Sequence, residues 1–260
     1  MTRAIFFDID GTLVSFRTHR IAQSTLDEVK RVREMGVKVF IATGRPRPFV
    51  TNLGDFPFDG MICTNGATCM DAEERVFHHT PIPHEDIVRL VEHQRTHPLP
   101  IILANSQDVF IANRHTRNDE VEEVMTMLDI AIPAARPIED ALGMEVTQGV
   151  AFIHPDEEES IMQNVLRGCD ATRWHPSFVD CIAKGTSKAS GIDIVLEHYG
   201  IDLSQTMAFG DGGNDIEMLR HVAIGVAMGN AKDEVKAVAD ITTTSVDDDG
   251  IARVLRQLVV

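Results

Sequence analysis

The sequence lacks an excess of basic charge. Its 24 Lys and Arg residues stand against 40 Asp and Glu, which gives a formal net charge of −16 at pH 7. Proteins that bind nucleic acid or a membrane surface depend on basic patches, so we expect neither partner. The sequence also lacks a run of 18 apolar residues, the length a membrane-spanning helix requires. Its first residues begin a strand pattern at once, so we expect no signal peptide.

The four cysteines lack CxxC spacing, and a chain of 260 residues does not need disulfides for stability. We therefore expect reduced thiols and a cytoplasmic location. Tandem repeats and low-complexity tracts are also missing. The composition of 43% hydrophobic and 25% charged residues is typical of a globular protein with a hydrophobic core. The length suits one large domain or a domain with a smaller companion.

Strand and helix patterns alternate at both ends of the chain. Residues 3–8 and 37–42 are short apolar runs, and the apolar residues between them have helical spacing. A further strand is predicted at 61–63, after a short helix that follows Pro46. In the C-terminal part the pattern predicts helices at 187–199, 214–221, 231–239 and 249–258, and strands at 206–210, 222–226 and 240–243. This alternation predicts an α/β fold, a doubly wound parallel sheet of the Rossmann-like kind.

The middle of the chain has a different pattern. Residues 67–70 and 75–79 flank the turn "DAEE" and predict a hairpin. The predicted helices are then 84–96, 116–128 and 156–167, and the predicted strands are 101–104, 108–111, 147–153, 171–175 and 178–182. Helices followed by strand pairs describe an inserted α+β unit. We expect a core of residues 1–82 and 184–260 and an insert of residues 83–183.

Two carboxylates end the first strand, in the stretch "IFFDIDGTLV" of residues 5–14. Residues two apart in a strand point to the same face, so Asp8 and Asp10 open together into the crevice where doubly wound folds bind ligands. Two anions there are costly unless a cation lies between them or one takes up a proton. A plain Asp-Gly turn explains "DIDG" equally well when it is taken alone.

A second acidic cluster follows a later strand, in "FGDGGNDIEML" of residues 209–219. Asp211, Asn214 and Asp215 would lie at the carboxyl edge of a neighbouring parallel strand. The segment is not a P-loop, which needs Lys and then Ser or Thr after its second glycine. Oxygen ligands from two strand ends suit a hard divalent cation such as Mg²⁺. A tight turn without a ligand is the alternative.

Two further segments have the features of a phosphate site. In "IATGRP", a Thr hydroxyl and a Gly amide, from Thr43 and Gly44, end the second strand just before a helix, where backbone N–H groups favour an anion. In "KGTSKASG", Lys188 lies in the first turn of a helix and opposes the helix dipole, so a nearby anion would explain it. Taken singly, the first is an ordinary turn, and Lys188 and Lys184 are ordinary surface lysines.

Taken in order, "DIDGTL", "IATGR", the helix of Lys188 and "GDGGND" resemble the four motifs of the haloacid dehalogenase superfamily. The α+β insert after the second motif resembles the large cap of its Cof-type, class IIB phosphatases, and "RWHPSFVDCIAKG" resembles bacterial members that hydrolyse sugar phosphates. The resemblance covers the whole chain. Lys188 is preferred to Lys184 as the motif lysine because it opens a core helix, whereas Lys184 ends the last strand of the cap.

The resemblance implies a mechanism. Asp8 would attack phosphorus and form an aspartyl phosphate, and Asp10 would act as general acid and then as general base. A Mg²⁺ cofactor would be held by Asp8, the Asp10 carbonyl and Asp211, with Asn214 and Asp215 completing or orienting that site. The remaining implied contacts to phosphate come from Thr43, Gly44, Asn65 and Lys188.

Three other residues allow two interpretations each. Arg45 either contacts the substrate or caps its own loop. Trp174 and His175 either contact the sugar of the substrate or stabilise the structure of the cap. His93 and His97 have the i, i+4 spacing of a zinc pair, but "HQRTH" lacks the Glu of HExxH, so we interpret them as a surface pair.

The leading functional hypothesis is a Mg²⁺-dependent phosphatase acting on small sugar phosphates as a monomer or weak dimer. A phosphosugar mutase shares the same motifs and is the alternative enzyme. A non-catalytic phosphosugar-binding protein is a third possibility, although both Asp8 and Asp10 are present here.

Overall fold

The structure is a computed structural model that describes residues 1–113 and 118–257, with the side chain of Trp174 outside the described part. The strands are β1 (Ala4–Phe7), β2 (Lys38–Ala42), β3 (Gly60–Cys63), β4 (Thr68–Asp71), β5 (Val76–His79), β6 (Ile101–Ala104), β7 (Val109–Ala112), β8 (Ala135–Arg136), β9 (Gln148–Ala151), β10 (Cys169–His175), β11 (Phe178–Ala183), β12 (Thr206–Gly210), β13 (Ile224–Ala227) and β14 (Ile241–Thr242). The helices are α1 (Gln23–Glu34), α2 (His84–Thr96), α3 (Asp119–Met127), α4 (Pro155–Asn164), α5 (Lys188–Tyr199), α6 (Ile216–His221), α7 (Asp233–Lys236) and α8 (Gly250–Leu255).

The larger sheet has eight strands in the order β14-β13-β12-β1-β2-β3-β4-β5. Strands β14 through β3 pair in parallel, whereas β4 and β5 add an antiparallel hairpin at one edge. The chain runs outward from β1 in both directions, first to β2 and β3 and later to β12, β13 and β14. The centre of the sheet is therefore a topological switch point, where doubly wound folds bind their ligands.

Helices cover both faces of the larger sheet because successive strand residues point to opposite faces. Ile5 and Phe7 of β1 pack into one hydrophobic cluster with Val29 of α1. Phe6 packs into a second cluster with Ile192 of α5 on the other side. A strand buried on both faces must be apolar throughout, which explains the continuous apolar run of β1. The α/β core is thus doubly wound, as predicted.

The smaller sheet has six strands in the order β10-β11-β9-β6-β7-β8 and is mostly antiparallel. Helices α2 and α4 contribute to the hydrophobic cluster on one face, and α3 contributes to the cluster on the other. All six strands come from residues 101–183. This common origin supports our proposal that residues 83–183 form a cap and residues 1–82 and 184–260 the core.

Several element boundaries differ from those predicted. The helix expected after Pro46 is a single 3₁₀ turn, Arg47–Phe49, and the two-residue strand β8 was not predicted. Helix α3 begins at Asp119 because the Asn118 side chain accepts a hydrogen bond from the Val121 N–H, while residues 116 and 117 of the predicted helix lie outside the described residues. Within the described ranges, each helix is too short or too polar to cross a bilayer.

The four cysteines are free thiols, and each of them is buried. Burial raises the pKa of the Cys69 thiol to about 12, which keeps it protonated at neutral pH. The free thiols agree with the prediction that the cysteines are reduced.

Candidate active site

Three loops of the predicted site meet at the carboxyl ends of adjacent parallel strands. Phe7 of β1 lies opposite Phe209 of β12 on one side and Ile41 of β2 on the other. The residues that follow each strand therefore begin at the same level of the sheet. In this way Asp8, Asp211 and Thr43, which are far apart in sequence, reach one edge.

Three carboxylates converge there. Asp8, Asp211 and Asp215 each offer an oxygen, and these oxygens lie within 4.8 Å of one another. Burial is the main reason that the pKa of Asp8 is well above its usual value, and neighbouring carboxylates raise it further against the opposing effect of Lys188. Burial and then Asp215 raise the pKa of Asp211 to about 7. Carboxylates crowded in this way favour a bound cation, and the donor set is the all-oxygen set that hard divalent ions prefer.

Lys188 supplies a positive charge within this cluster. Its Nζ donates hydrogen bonds of 2.6 Å to Asp8 Oδ1 and 2.6 Å to Asp215 Oδ1, and its side chain is fully buried. Although burial alone would lower the pKa of Lys188, the two carboxylates outweigh it and raise that pKa. Lys184 is exposed at the end of β11. The structure therefore brings Lys188, and not Lys184, to the acidic group.

Two residues that the sequence analysis did not name hold Asp211 in place. Thr12 Oγ1 donates to Asp211 Oδ1 at 2.8 Å, and Asn230 Nδ2 donates to Asp211 Oδ2 at 3.1 Å. A Cβ atom on Gly11, whose φ is +85°, would lie 2.3 Å from Asp211 Oδ2. Asn230 follows β13, the next parallel strand of the sheet, and a search of every strand end for polar side chains would have found it.

Asp215 is held by the backbone of its own loop. Its Oδ2 accepts hydrogen bonds of 2.9 Å from the N–H groups of both Asp211 and Gly212, while its Oδ1 accepts from Lys188. Each of its two oxygens is thus engaged with a protein donor. Asp215 is positioned to orient the acidic loop and to balance the charge of Lys188.

The loops after β2 and β3 come close because Gly44 has no side chain. A Cβ atom on Gly44 would lie 3.1 Å from Asn65 Oδ1 and 3.3 Å from Asn214 Nδ2. Asn214 Nδ2 donates to Asn65 Oδ1 at 2.9 Å, and Asn65 Nδ2 donates to Asp180 of β11 at 3.1 Å. A hydrogen-bonded chain therefore links the acidic loop, through Asn65, to the smaller sheet.

Arg45 is buried and contacts protein groups. Its Nε and Nη2 form a fork, 2.6 Å from each of the two carboxylate oxygens of Asp10. The same side chain donates to the carbonyl oxygens of Phe49 and of Leu128, just beyond α3. Of the two readings left open by the sequence, these contacts favour a role within the protein, fixing both its loop and Asp10.

A cavity of about 440 Å³ lies between the two sheets. Asp8, Asp10, Thr43 and Asp211 are at its core side, together with Gly44, Arg45 and Asn214. His175 lines the opposite side, and burial lowers its pKa, so its ring is more readily neutral than a solvated histidine. The Trp174 side chain falls outside the described part. The geometry is that of a cleft in which Asp8, Asp10 and Asp211 face one ligand space, with Lys188 buried behind Asp8.

His93 and His97 do not join this site. Their rings stack at the end of α2 with centroids 5.3 Å apart, His97 being the residue after the helix. Among the residues described, the group of three or more possible metal ligands is Asp8, Asp211 and Asp215.

Comparison with known proteins agrees with this architecture. The family model for haloacid dehalogenase-like hydrolases matches residues 5–255. The putative phosphatase YkrA of Bacillus subtilis is 34% identical over 99% of this chain and 98% of its own length. A second relative from Bacillus subtilis, 5-amino-6-(5-phospho-D-ribitylamino)uracil phosphatase YitU, is 29% identical over 97% of this chain and 96% of its own length.

Solved structures show the same relationship. The haloacid dehalogenase subclass IIB sugar phosphatase BT4131 superposes with a TM-score of 0.90 and 41% identity, covering 98% of each chain. The phosphatase BT1666 of Bacteroides thetaiotaomicron superposes with a TM-score of 0.89 and 36% identity, over 98% of this chain and 94% of its own. The chain therefore belongs to the haloacid dehalogenase-like hydrolases and is a phosphatase of the Cof-type, subclass IIB branch of that superfamily.

Proposed function

We propose that the protein is a Mg²⁺-dependent phosphatase that hydrolyses small sugar phosphate monoesters through an aspartyl-phosphate intermediate. The observation that carries this proposal is the position of Asp8. It is a buried carboxylate that lines the cavity, paired with a buried lysine and close to two more carboxylates. A nucleophile beside a cation site and a hydroxyl and amide from the Thr43 loop is what phosphoryl transfer needs.

Asp8 is the proposed nucleophile. Lys188 binds its Oδ1, so we assign the attack on phosphorus to Oδ2. A bond forms between Oδ2 and phosphorus while the bond from phosphorus to the ester oxygen breaks. The departing oxygen takes its proton from Asp10, and the free alcohol leaves. Splitting one displacement into two in this way lowers each barrier.

Asp10 completes the second half of the reaction. It removes a proton from a water molecule that attacks the phosphorus of the aspartyl phosphate, which releases inorganic phosphate and restores the Asp8 carboxylate. General acid–base assistance of this kind is worth about 10²–10⁴ in rate. Arg45 donates to both oxygens of Asp10 in this structure, so one of these hydrogen bonds must break before Asp10 can give a proton to the ester oxygen or take one from water.

The residues present fit a Mg²⁺ ion. We assign its protein ligands to the carboxylates of Asp8 and Asp211 and the backbone carbonyl of Asp10, with Asn214 at the edge of the site. Asp215 uses both oxygens on protein donors, so it supports this set from behind. When bound, Mg²⁺ would offset the repulsion between the Asp8 carboxylate and the phosphate and the charge that develops during transfer.

The transferred phosphate would be gripped by the Thr43 loop. Thr43 is buried at the cavity, and its Oγ1 accepts a hydrogen bond of 3.1 Å from the Arg45 N–H, which fixes the hydroxyl. The hydroxyl and the Gly44 N–H are the donors that we assign to phosphate oxygens, with Lys188 between phosphate and Asp8. Asn65 shapes the same edge through Asn214.

Two observations support a small sugar phosphate as substrate. A cavity of about 440 Å³ excludes macromolecules but has room for a phosphate ester of metabolite size. BT4131, which covers 98% of this chain, is a sugar phosphatase. We also place His175 of β10, which lines the cavity, among the residues of the cap that face the substrate.

The test is the substitution Asp8→Asn. It keeps the shape of the side chain but removes the nucleophile, so release of inorganic phosphate from hexose and pentose phosphates with Mg²⁺ should fall by at least about 10³-fold. Asp27→Asn, the same substitution at an exposed position of α1, is the matched control and should keep wild-type turnover. EDTA should abolish activity, and added Mg²⁺ should restore it. Wild-type turnover by Asp8→Asn would refute the assignment of the nucleophile.

Product analysis separates hydrolysis from the mutase alternative. A phosphatase releases inorganic phosphate in step with the loss of ester, whereas a mutase returns the phosphoryl group to a sugar and accumulates an isomer. We expect phosphate release to account for all ester consumed.

A further inference from the structure

Gln148 of β9 lines the cavity and has a side-chain acceptor that no described residue uses. Its side chain is buried, and its Nε2 donates a hydrogen bond of 3.0 Å to the Gly44 carbonyl oxygen. That bond fixes which end of the amide is oxygen. The Oε1 atom is buried and has no hydrogen-bond partner within the described structure. A buried acceptor left unpaired is costly, so such an atom indicates a donor that arrives with the ligand.

Apolar residues follow Gln148 along β9 on the face that lines the cavity. Because side chains alternate, Gln148, Val150 and Phe152 lie on one face of β9 and its extension. Val150 is paired with Ile102 on β6 and with Asp180 on β11. At about 3.3 Å per residue, Phe152 lies about 13 Å from Gln148 along the strand. The Gln148 end of this face thus adjoins Gly44, and Val150 and Phe152 are apolar, while Asp180 of β11 and His175 of β10 also line the cavity.

Helix α3 closes this far end with more apolar surface. Val124 of α3 and Leu128, just after it, line the cavity together with Ile102, Val150, Phe152 and Phe178. We call these six residues the apolar chamber. A hydroxyl group held against these six residues would lack a hydrogen-bond partner, which opposes its burial there, whereas Arg173, His175 and Asp180 line other parts of the same cavity. An apolar or aromatic group gains by burial at the same place.

We infer that the organic part of the substrate is amphipathic: a hydroxyl group close to the phosphate ester donates to Gln148 Oε1, and an apolar or aromatic group beyond it fills the apolar chamber. The inference rests on the proposed function and narrows it from small sugar phosphates in general. It selects a phosphorylated polyol or sugar chain that carries an apolar or ring substituent, in preference to an unsubstituted hexose or pentose phosphate.

Four synthetic phosphate monoesters test the two features separately. Propyl phosphate has neither, 2-hydroxypropyl phosphate has the hydroxyl, 5-phenylpentyl phosphate has the ring, and 2-hydroxy-5-phenylpentyl phosphate has both. The measurement is kcat/KM for release of inorganic phosphate with Mg²⁺. We expect the ring to raise kcat/KM by about 10-fold or more and the hydroxyl by several-fold, since one apolar group or one buried hydrogen bond is worth about that much.

Two variants test which residue is responsible for each gain in kcat/KM. Gln148→Leu should remove the advantage of the hydroxyl probes and leave the gain from the ring. Val150→Thr places a hydroxyl in the apolar chamber at constant shape, so it should lower the gain from the ring by at least about 3-fold. Val109→Thr is the matched control, because Val109 is equally half-buried but is not among the described residues that line the cavity. It should leave all four values unchanged.

The outcomes distinguish the inference from the proposed function. Equal kcat/KM for the four esters, or a preference for the 2-hydroxypropyl ester over the one with both features, would overturn the inference while hydrolysis itself stands. An equal loss for all four esters in Gln148→Leu would show that Gln148 only supports Gly44, which also contradicts it. No phosphate release from any ester, including common sugar phosphates, would overturn the proposed function and the inference with it. The wild-type series decides the matter even where a variant folds poorly.

Discussion

Replacing Lys188 by Met should destabilise the fold strongly, and the structure explains why. The Lys188 side chain is fully buried and is hydrogen-bonded at 2.6 Å to both Asp8 and Asp215. Methionine fills nearly the same volume, so the substitution removes the charge with little loss of packing. The two carboxylates then remain buried, close together and without their cation.

The expected loss in free energy of unfolding follows from the two carboxylates that remain without a cation. Removing one partner of a buried ion pair costs about 3–5 kcal/mol, because the remaining charge has lost its solvent and its counter-ion. Here two carboxylates are left, so we expect the upper part of that range for the loss in free energy of unfolding. Adding Asp8→Asn to Lys188→Met removes one unpaired charge and should recover about 2 kcal/mol, which is a coupling of the size found between contacting residues.

Urea unfolding followed by circular dichroism measures these free energies. EDTA must be present, so that no divalent ion replaces the lysine. Lys184→Met, the same change at an exposed position four residues earlier, is the matched control and should change stability by less than about 0.5 kcal/mol. A cost below about 1 kcal/mol for Lys188→Met, or a double variant less stable than Lys188→Met alone, would refute the reasoning.

Two further predictions concern residues outside the catalytic group. Thr12→Val removes the hydrogen bond to Asp211 Oδ1 and should weaken Mg²⁺ binding, measured by calorimetry, by about 10-fold or more; unchanged affinity would show that Thr12 does not orient Asp211. The second prediction concerns Asp59. Burial alone would raise the pKa of its carboxyl group, but hydrogen bonds from the Val39 N–H and Arg33 outweigh burial and lower that pKa. The carboxylate therefore stabilises the fold at pH values above its unfolded pKa of about 4. Asp59→Asn should therefore cost about 1 kcal/mol in urea unfolding at pH 7, and this difference should shrink only as the pH falls below about 4, through the lower pKa of the folded state; a constant difference would contradict it.

Local patterns were enough to predict elements whose side chains repeat regularly. Helix α2 begins and ends at the predicted residues, 84 and 96, and strand β12 occupies the predicted 206–210. In contrast, β8 has two residues and exists because Ala135 pairs with Ile111 of β7. A pairing of that kind has no periodicity in the chain, so only the folded neighbour reveals it.

The candidate site likewise contains residues that the sequence predicted and contacts that it could not predict. Asp8 and Asp211 could be predicted because charged residues at the end of an apolar strand are unusual, and parallel strands bring such ends to one edge. The contacts of Asn230 with Asp211 and of Arg45 with Asp10 could not, because each depends on the exact approach of two loops. Gln148 was missed for a related reason: it is an ordinary strand residue whose Oε1 becomes significant only through burial.

The sequence by itself determined the α/β core, the inserted unit and the strand ends that carry the acidic residues, because these depend on periodicity and on the order of motifs along the chain. The sequence also favoured Lys188 over Lys184, but tertiary structure alone decided that Lys188 bridges Asp8 and Asp215, that Arg45 holds Asp10, and that apolar residues line part of the cavity beside the phosphate site. Those features depend on distances of a few ångströms between segments far apart in sequence, where burial makes each charge and each unpaired polar atom count.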